Sequence, residues 1–259
     1  VQSDYDLSLK STEHRPYPLP SGLWRMRQRW NDLLFAHWPI PVSQMAALLP
    51  AGLEVDTYDG FAWAGVVPFW MDEVASRVIA STTITVPTTG TFPELNLRTY
   101  VRSQVSGLSG VYFFSLDCAS ALAVLGARTL FHLPYFPASM SYKEDVQKIQ
   151  YQSRRLLTRK NVRFEGSYRS VGAVPAGVSQ PGSIEHFLTE RYCLFTPFAG
   201  RMLVGDIHHV PWALEPAEAE IRVNEIPAAH GLVLPERAPV LHFARELRVT
   251  IWPLRRDVK

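Results

Sequence analysis

The chain is short of cysteine, of lysine and of long apolar runs, and each shortage closes off a class of function. Cys118 and Cys193 are its only cysteines. Two thiols so far apart in 259 residues read as buried small hydrophobes and not as a disulfide framework, which points to a reducing, cytoplasmic compartment. No uncharged apolar stretch is long enough to span a membrane, and Val1 to Leu9 is polar and acidic, unlike a secretory signal. Lys10, Lys143, Lys148, Lys160 and Lys259 are the only lysines, so 21 of the 26 basic residues are arginine. Arginine does not serve as an amine nucleophile, and candidates for Schiff-base chemistry are correspondingly few.

Other signatures are missing too. Gly107-Leu108-Ser109-Gly110 has neither the glycine spacing nor the lysine of a phosphate-binding loop, so no nucleotide cofactor is expected. There is no Gly-x-Ser-x-Gly, and Ser115 falls inside a strand candidate, where it reads as structural. Net charge is +2, and the basic pairs Arg154-Arg155, Arg159-Lys160 and Arg255-Arg256 read as solvated surface, not as a nucleic-acid stripe. His208 and His209 are the densest histidines, yet neighbours on a strand point to opposite faces and cannot readily share one ion, so no metal is expected.

What is present is an apolar fraction of 47 %, ample for a core, distributed in many short segments. Residues 1–20 are expected to form an extended arm, because Pro16, Pro18 and Pro20 disfavour helix, and 21–259 a single domain. Trp24 to Trp38 fits a strand or a helix. Pro41 to Pro50 predicts a short helix capped by Ser43. Leu53–Thr57 and Phe61–Phe69 flank Tyr58-Asp59-Gly60 as a hairpin would. Further strands are predicted over Val78–Val86, Glu94–Arg102, Gly110–Asp117, Ala127–Leu133, Ser139–Tyr142, Ile149–Arg154 and Arg163–Val171. Ser183 caps a helix through Leu188, Tyr192–Phe195, Arg201–Val210 and Leu241–Trp252 read as closing strands, and Glu215–Glu225 as an outer helix. So many short strands predict a mainly β protein with an antiparallel barrel and a few short peripheral helices.

Glu94 to Arg102 alternates, placing Glu94, Asn96, Arg98, Tyr100 and Arg102 on one face and Leu95, Leu97 and Val101 on the other. That polar face is either a solvent face or the wall of a cavity that offers an anion-binding arginine beside a carboxyl and a phenol. In the second case Asn96, Arg98 and Tyr100 are candidate ligand-binding groups and Glu94 a candidate acid or base; off this strand, residue type alone adds Arg128 as a second anion clamp, Tyr112 and Tyr135 as hydrogen-bonding groups and His209 as the alternative acid or base.

Leu33–Pro41, Glu94–Arg102, Gly110–Asp117, Phe187–Tyr192 and Ile207–Trp212, in this order, resemble the YqjF-like family of uncharacterised bacterial proteins, from about residue 24 to the end. That family is distantly similar to acetoacetate decarboxylase, which implies a cone-shaped barrel enclosing a small cavity. Acetoacetate decarboxylases carry a Pro-Lys-Lys run whose first lysine forms the Schiff base and whose second lowers its pKa. The corresponding run here is Leu133-Pro134-Tyr135-Phe136-Pro137, with both lysines replaced, and the place of the cavity carboxylate is taken by Asn96, with Glu94 one pleat away. The resemblance therefore implies the fold but not the decarboxylation. The reading that results is a small-carboxylate-binding barrel. An enzyme acting on a small keto acid through His/Glu chemistry and a non-catalytic sensor or solid structural barrel are the alternatives, and a homo-oligomer stays open.

Overall fold

The computed structural model describes residues 4–79, 82–84, 91–172 and 179–258. A short helix α1 (Asp4–Ser8) precedes strand β1 (Met26–Ile40), helix α2 (Val42–Ala46) and strands β2 (Leu53–Val55), β3 (Ala62–Ile79), β4 (Thr82–Ile84), β5 (Phe92–Ser103) and β6 (Ser109–Cys118). Helix α3 (Ala121–Leu130) leads to β7 (Tyr135–Glu144), β8 (Ile149–Arg155) and β9 (Arg163–Ser170). Then come α4 (Ile184–Thr189), β10 (Cys193–Phe198), β11 (Arg201–His208), β12 (Glu215–Asn224), α5 (Ile226–Ala229), β13 (Val240–Ile251) and β14 (Arg255–Arg256). Among the described residues no helix is long and apolar enough to cross a membrane.

Strands β5, β6, β7, β8, β9, β12, β13, β1 and β3 pair in a closed nine-strand ring. A second circuit leaves it at β6, passes through β10 and β11, and rejoins at β13. The fork at β13 divides one strand between two partners: Phe243 faces Glu215 of β12, and Ile251 faces Ile207 of β11. At β6, Val111 and Tyr112 pair with β10, and Leu116 to Cys118 with β7. Both of these β6 pairings are parallel, so the barrel is mixed where the sequence predicts an antiparallel one. A parallel neighbour needs a crossover, which α3 supplies between β6 and β7.

The strands common to both rings, β13, β1, β3, β5 and β6, form a shared wall, and the central stretches of β1, β3 and β5 are buried on both faces. Leu34, Ala36 and Trp38 pack into the nine-strand ring with Tyr151, Phe164 and Tyr168 and form its hydrophobic core. Leu33 and Phe35, one residue out of phase, face the second ring with Trp212. Three irregularities set the phase. Asp32 (φ 50) and Glu73 (φ 50) occupy the left-handed region, which Asp tolerates better than most residues, and both coincide with register shifts between β1 and β3. The third skips Phe114 of β6, where Leu97 faces Ser115 but Arg98 faces Phe113. Asp32 is further held by Trp70 Nε1 and the Tyr142 hydroxyl, each donating to its carboxylate at 2.8 Å.

The mainly β architecture with short outer helices forms as the sequence predicts, and five local expectations do not. Ala127–Leu133 is not a strand: the Ala- and Leu-rich run from 121 is helical, with Ser120 accepting from Ala123 N as its cap. Glu215–Glu225 is not a helix: Ala217, Ala219 and Ile221 alternate inward against β9, and this period of two overrides the helix propensity of Glu and Ala. Ser43 does not cap α2, whose N-cap is Pro41 without a side-chain bond. Asp59 (φ 51) and Gly60 (φ 76) do make a tight turn, but β2 and β3 do not pair as a hairpin; both follow the same strand, with Val55 opposite Val101 and Ala64 opposite Thr99. In the arm, Asp4–Ser8 is helical and the prolines follow it. Of the strand expected over Val78–Val86, β3 ends at Ile79 and β4 covers Thr82–Ile84; the remainder lies outside the described residues.

Gly110 marks the closest approach in the β6 fork, since a Cβ there would lie 2.6 Å from the Cys193 carbonyl oxygen and 2.7 Å from its sulfur. Gly126, in the middle of α3, faces open space. Gly110→Ala is therefore expected to destabilise the protein by about 1–3 kcal/mol, while Gly126→Ala stabilises it by roughly 0.5–1 kcal/mol. Melting temperatures of the two variants check this, and shifts of the same sign would contradict the packing described.

Candidate functional site

The second ring is hollow. Its chamber, of about 250 Å³, is walled by β1, β3, β5 and β6 on one side and by β10, β11 and the segment after it on the other, with α3 laid across it. Most of the lining is apolar, including Trp30, Phe69, Met71, Phe92, Phe113 and Leu116. The lining residues exposed to solvent are Ile84, Leu122 and Leu130, which places the mouth beside α3 and β4.

Into this apolar chamber β5 projects Glu94, Asn96 and Arg98, respectively 3, 5 and 8 % exposed. The polar face of that strand is thus a cavity wall and not a solvent face, while Leu95 and Leu97 pack into the nine-strand core. Arg98 donates from one terminal nitrogen to the Leu188 carbonyl at 3.4 Å, and its guanidinium lies over Phe35, 5.1 Å from the ring centre. Its buried Nε has no partner, and among the described residues it forms no ion pair with a carboxylate. Glu94 cannot supply one, because four residues of strand separate the two by about 13 Å. Oδ1 of Asn96 is likewise buried and unpartnered. Buried polar groups of this kind are rarely left unsatisfied, and here two of them belong to residues that line one cavity.

Glu94 accepts a hydrogen bond from the Tyr135 hydroxyl at 2.7 Å. Burial dominates its electrostatics and pushes its pKa from the ordinary 4.5 up to about 8; the Tyr135 bond opposes this and Asp117 adds to it. The carboxyl is therefore protonated at neutral pH. Arg191 also borders the chamber, but it is engaged by Asp56 at 2.6 Å and by the Phe187 carbonyl at 2.8 Å. Arg98 is thus the guanidinium of the chamber without a counter-charge.

The other residues singled out from the sequence separate. Tyr135 joins the site through Glu94. His209 borders the chamber, yet its ring nitrogens turn to the carbonyls of Val210 (2.8 Å) and Arg191 (3.3 Å), and burial holds its pKa below the usual range. Tyr100 is fully buried behind Arg98, with its hydroxyl 2.6 Å from His37 Nε2. Tyr112 packs on the opposite side of β6, against Phe114. Arg128 ties α3 to β7 by donating to the Tyr135 carbonyl at 2.7 Å. Arg102 is exposed near Asp56. The neighbouring His208 points away from His209 to the N-terminal arm, bonding Ser8 O and Arg15, and among the described residues no cluster of three metal-ligating groups occurs. Both cysteines are free and buried, and none of the described lysines borders the chamber.

Sequence reasoning missed Trp30, Phe113 and Trp212. Trp212 stacks on Trp30 and meets Phe35 edge-on, and its buried indole N–H is unpartnered. The register shifts in β1 and β6 hide the first two, because a strict alternation carried across Asp32 or Phe114 points to the wrong face. A non-glycine residue such as Asp in a strongly apolar strand was the available signal.

Residues 27–248 match the model of the DUF2071 family, described as an uncharacterized conserved protein. The uncharacterized protein YqjF of Bacillus subtilis is 47 % identical over 238 residues, covering 92 % of this chain and 95 % of its own. Among solved structures, the enduracididine biosynthesis enzyme MppR complexed with pyruvate superposes with a TM-score of 0.59 at 12 % identity, covering 91 % of both chains. An acetoacetate decarboxylase-like enzyme from Sphingomonas wittichii gives 0.58 at 13 %, covering 93 % of this chain and 98 % of its own. Acetoacetate decarboxylase from Legionella pneumophila gives 0.57 at 12 %, covering 98 % and 95 %. At such identities the structural likeness establishes the fold alone: it is acetoacetate-decarboxylase-like.

The raised pKa of Glu94 makes stability depend on pH. The folded chain keeps this proton to about pH 8, whereas the unfolded chain releases it near 4.5, so the contribution is full below 4.5 and is lost as pH rises through about 8. Relative to Glu94→Gln, which has no proton to lose, the wild type is expected to lose roughly 5–15 °C of melting temperature between these limits. Parallel melting curves across that range would show that Glu94 is ionised in the native protein.

Proposed function

The chain belongs to the DUF2071 family of uncharacterised conserved proteins, and on that footing we propose that its chamber binds a small carboxylate-bearing molecule without Schiff-base chemistry. One observation carries the reading: the buried Arg98 lines an apolar cavity, leaves Nε without a partner and pairs with no carboxylate among the described residues. A desolvated guanidinium without a counter-charge is expensive, and a ligand carboxylate would complete it with two parallel charge-assisted bonds. Asn96, one pleat along, adds an amide to the same wall. Glu94 being neutral removes the repulsion that an ionised carboxylate would exert on an incoming anion. That MppR was obtained complexed with pyruvate supports the view that this fold accommodates carboxylates.

The distribution of amines supports the second half of the proposal. Lys10, Lys143 and Lys160 are exposed and Lys148 half-buried, and none borders the chamber. Tyr135 occupies the run in which the resemblance places the decarboxylase lysines, and its phenol is committed to Glu94. A phenol does not condense with a ketone to an imine.

A second reading, an enzyme acting on a small keto acid, draws on Glu94. A carboxylic acid with a pKa of about 8 keeps a proton it can deliver to a bound carbonyl oxygen. His209, with both nitrogens turned to backbone carbonyls, is the less suited of the two. The two readings part on whether a bound carboxylate is recovered unchanged.

Arg98→Ala, and the bulkier Arg98→Gln as a check on packing, are expected to weaken carboxylate binding more than tenfold, about 1.4 kcal/mol, as read by calorimetry on folded protein. Unchanged affinity in both variants would remove Arg98 from the site. Borohydride reduction in the presence of acetoacetate or pyruvate is expected to leave the mass of the chain unaltered; a lysine-bound adduct would refute the absence of imine chemistry.

A further inference from the structure

Resting on the carboxylate reading above, we infer that the ligand is an amphiphile: a monocarboxylate whose head meets Arg98 and whose acyl or aryl body fills the apolar remainder of the chamber. Size, charge and wall chemistry each lead there. An apolar cavity of 150 Å³ accommodates benzene, so by proportion about 250 Å³ takes a molecule of about ten non-hydrogen atoms. A keto acid of six or seven such atoms leaves part of the chamber bare.

The charges allow a single anionic group. Arg191 is neutralised by Asp56, and Glu94 is bonded to Tyr135, so a second carboxylate would be buried without a cation. The wall beyond Asn96 also offers little to a polar body. Phe69, Phe92, Met71 and Trp30 present apolar surface, and the polar atoms of Gln28 are occupied by the Met26 sulfur and by Trp30 Nε1. Leu122, Leu130 and Ile84 carry the same apolar character to the mouth, so among the described residues that line the entry the body meets no charged group. Arginine at one end and a wall that is mostly hydrocarbon beyond it, with Glu94 bonded to Tyr135, is the complement of a fatty or aryl-alkyl acid.

The experiment is a calorimetric series on the full chain with butanoate, hexanoate, octanoate and dodecanoate, against pyruvate, acetoacetate, succinate and 1-octanol. Affinity is expected to rise about fourfold per added methylene as far as octanoate, which has ten non-hydrogen atoms, and to fall at dodecanoate. Ala127→Leu, which adds bulk to the chamber wall on α3, is expected to weaken octanoate more than tenfold and leave butanoate within twofold. Affinity independent of chain length, with pyruvate or succinate binding as tightly as octanoate, would overturn the amphiphile and leave the carboxylate site standing. Binding of 1-octanol as tight as that of octanoate, or no binding by any acid, would overturn the carboxylate site and the amphiphile together.

Discussion

The structure depends on a wall of strands that must be dry on both sides. From Leu33 to Ile40, Ala62 to Phe69 and Glu94 to Val101, every residue is buried, so each strand serves two interiors at once. A sheet in that position cannot alternate between core and solvent. In β1 and β3 it reads instead as a nearly unbroken apolar run, as parallel sheets covered on both faces do, while β5 alternates because its polar side chains turn to the chamber. The two interiors then diverge in content. One is packed with Tyr151, Phe164 and Tyr168, and the other keeps a void crossed by α3. Solid packing on one face gives the wall the rigidity to hold a cavity open on the other.

That void is electrostatically lopsided. Apolar surroundings penalise charge, and two side chains on one strand answer differently. Glu94 yields by keeping its proton while it accepts a bond from the Tyr135 hydroxyl. Arg98 has no neutral form to retreat to and lies over the Phe35 face with an open donor. The barrel matches acetoacetate decarboxylase-like proteins over nine-tenths of its length, while none of the described lysines borders its chamber.

The legible part of the fold was whatever local periodicity and turn chemistry determine. The Ser183 cap, the Asp59-Gly60 turn and the alternation of Glu94 to Arg98 were visible because each rests on neighbours in sequence. Illegible was whatever a distant strand decides. The run at 121–130 becomes a helix through its own composition but is required by the parallel seating of β7 on β6, which nothing in the run announces. Glu215 to Asn224 has helix-forming side chains and is drawn into the sheet by β9. The site shows the same division. Glu94, Asn96 and Arg98 were singled out from residue type and alternation and Tyr135 from residue type, and all four line the chamber, whereas Trp30, Phe113 and Trp212 lie past irregularities or on returning segments, and Tyr112 was assigned to a face that β6 turns the other way.

Asp32, Glu73 and the step at Phe114 each shift a strand by one residue, and through that shift Trp30 and Leu33, or Phe113 and Leu116, look into the same space. Deleting a single residue at any of them would invert a strand, turning aromatic walls into the solid core and core residues into the void. A change of length along this wall is therefore expected to cost more than a substitution that conserves volume. Insertions and deletions are expected in the connections, and one inside β1, β3 or β6 would make a chamber of a different kind.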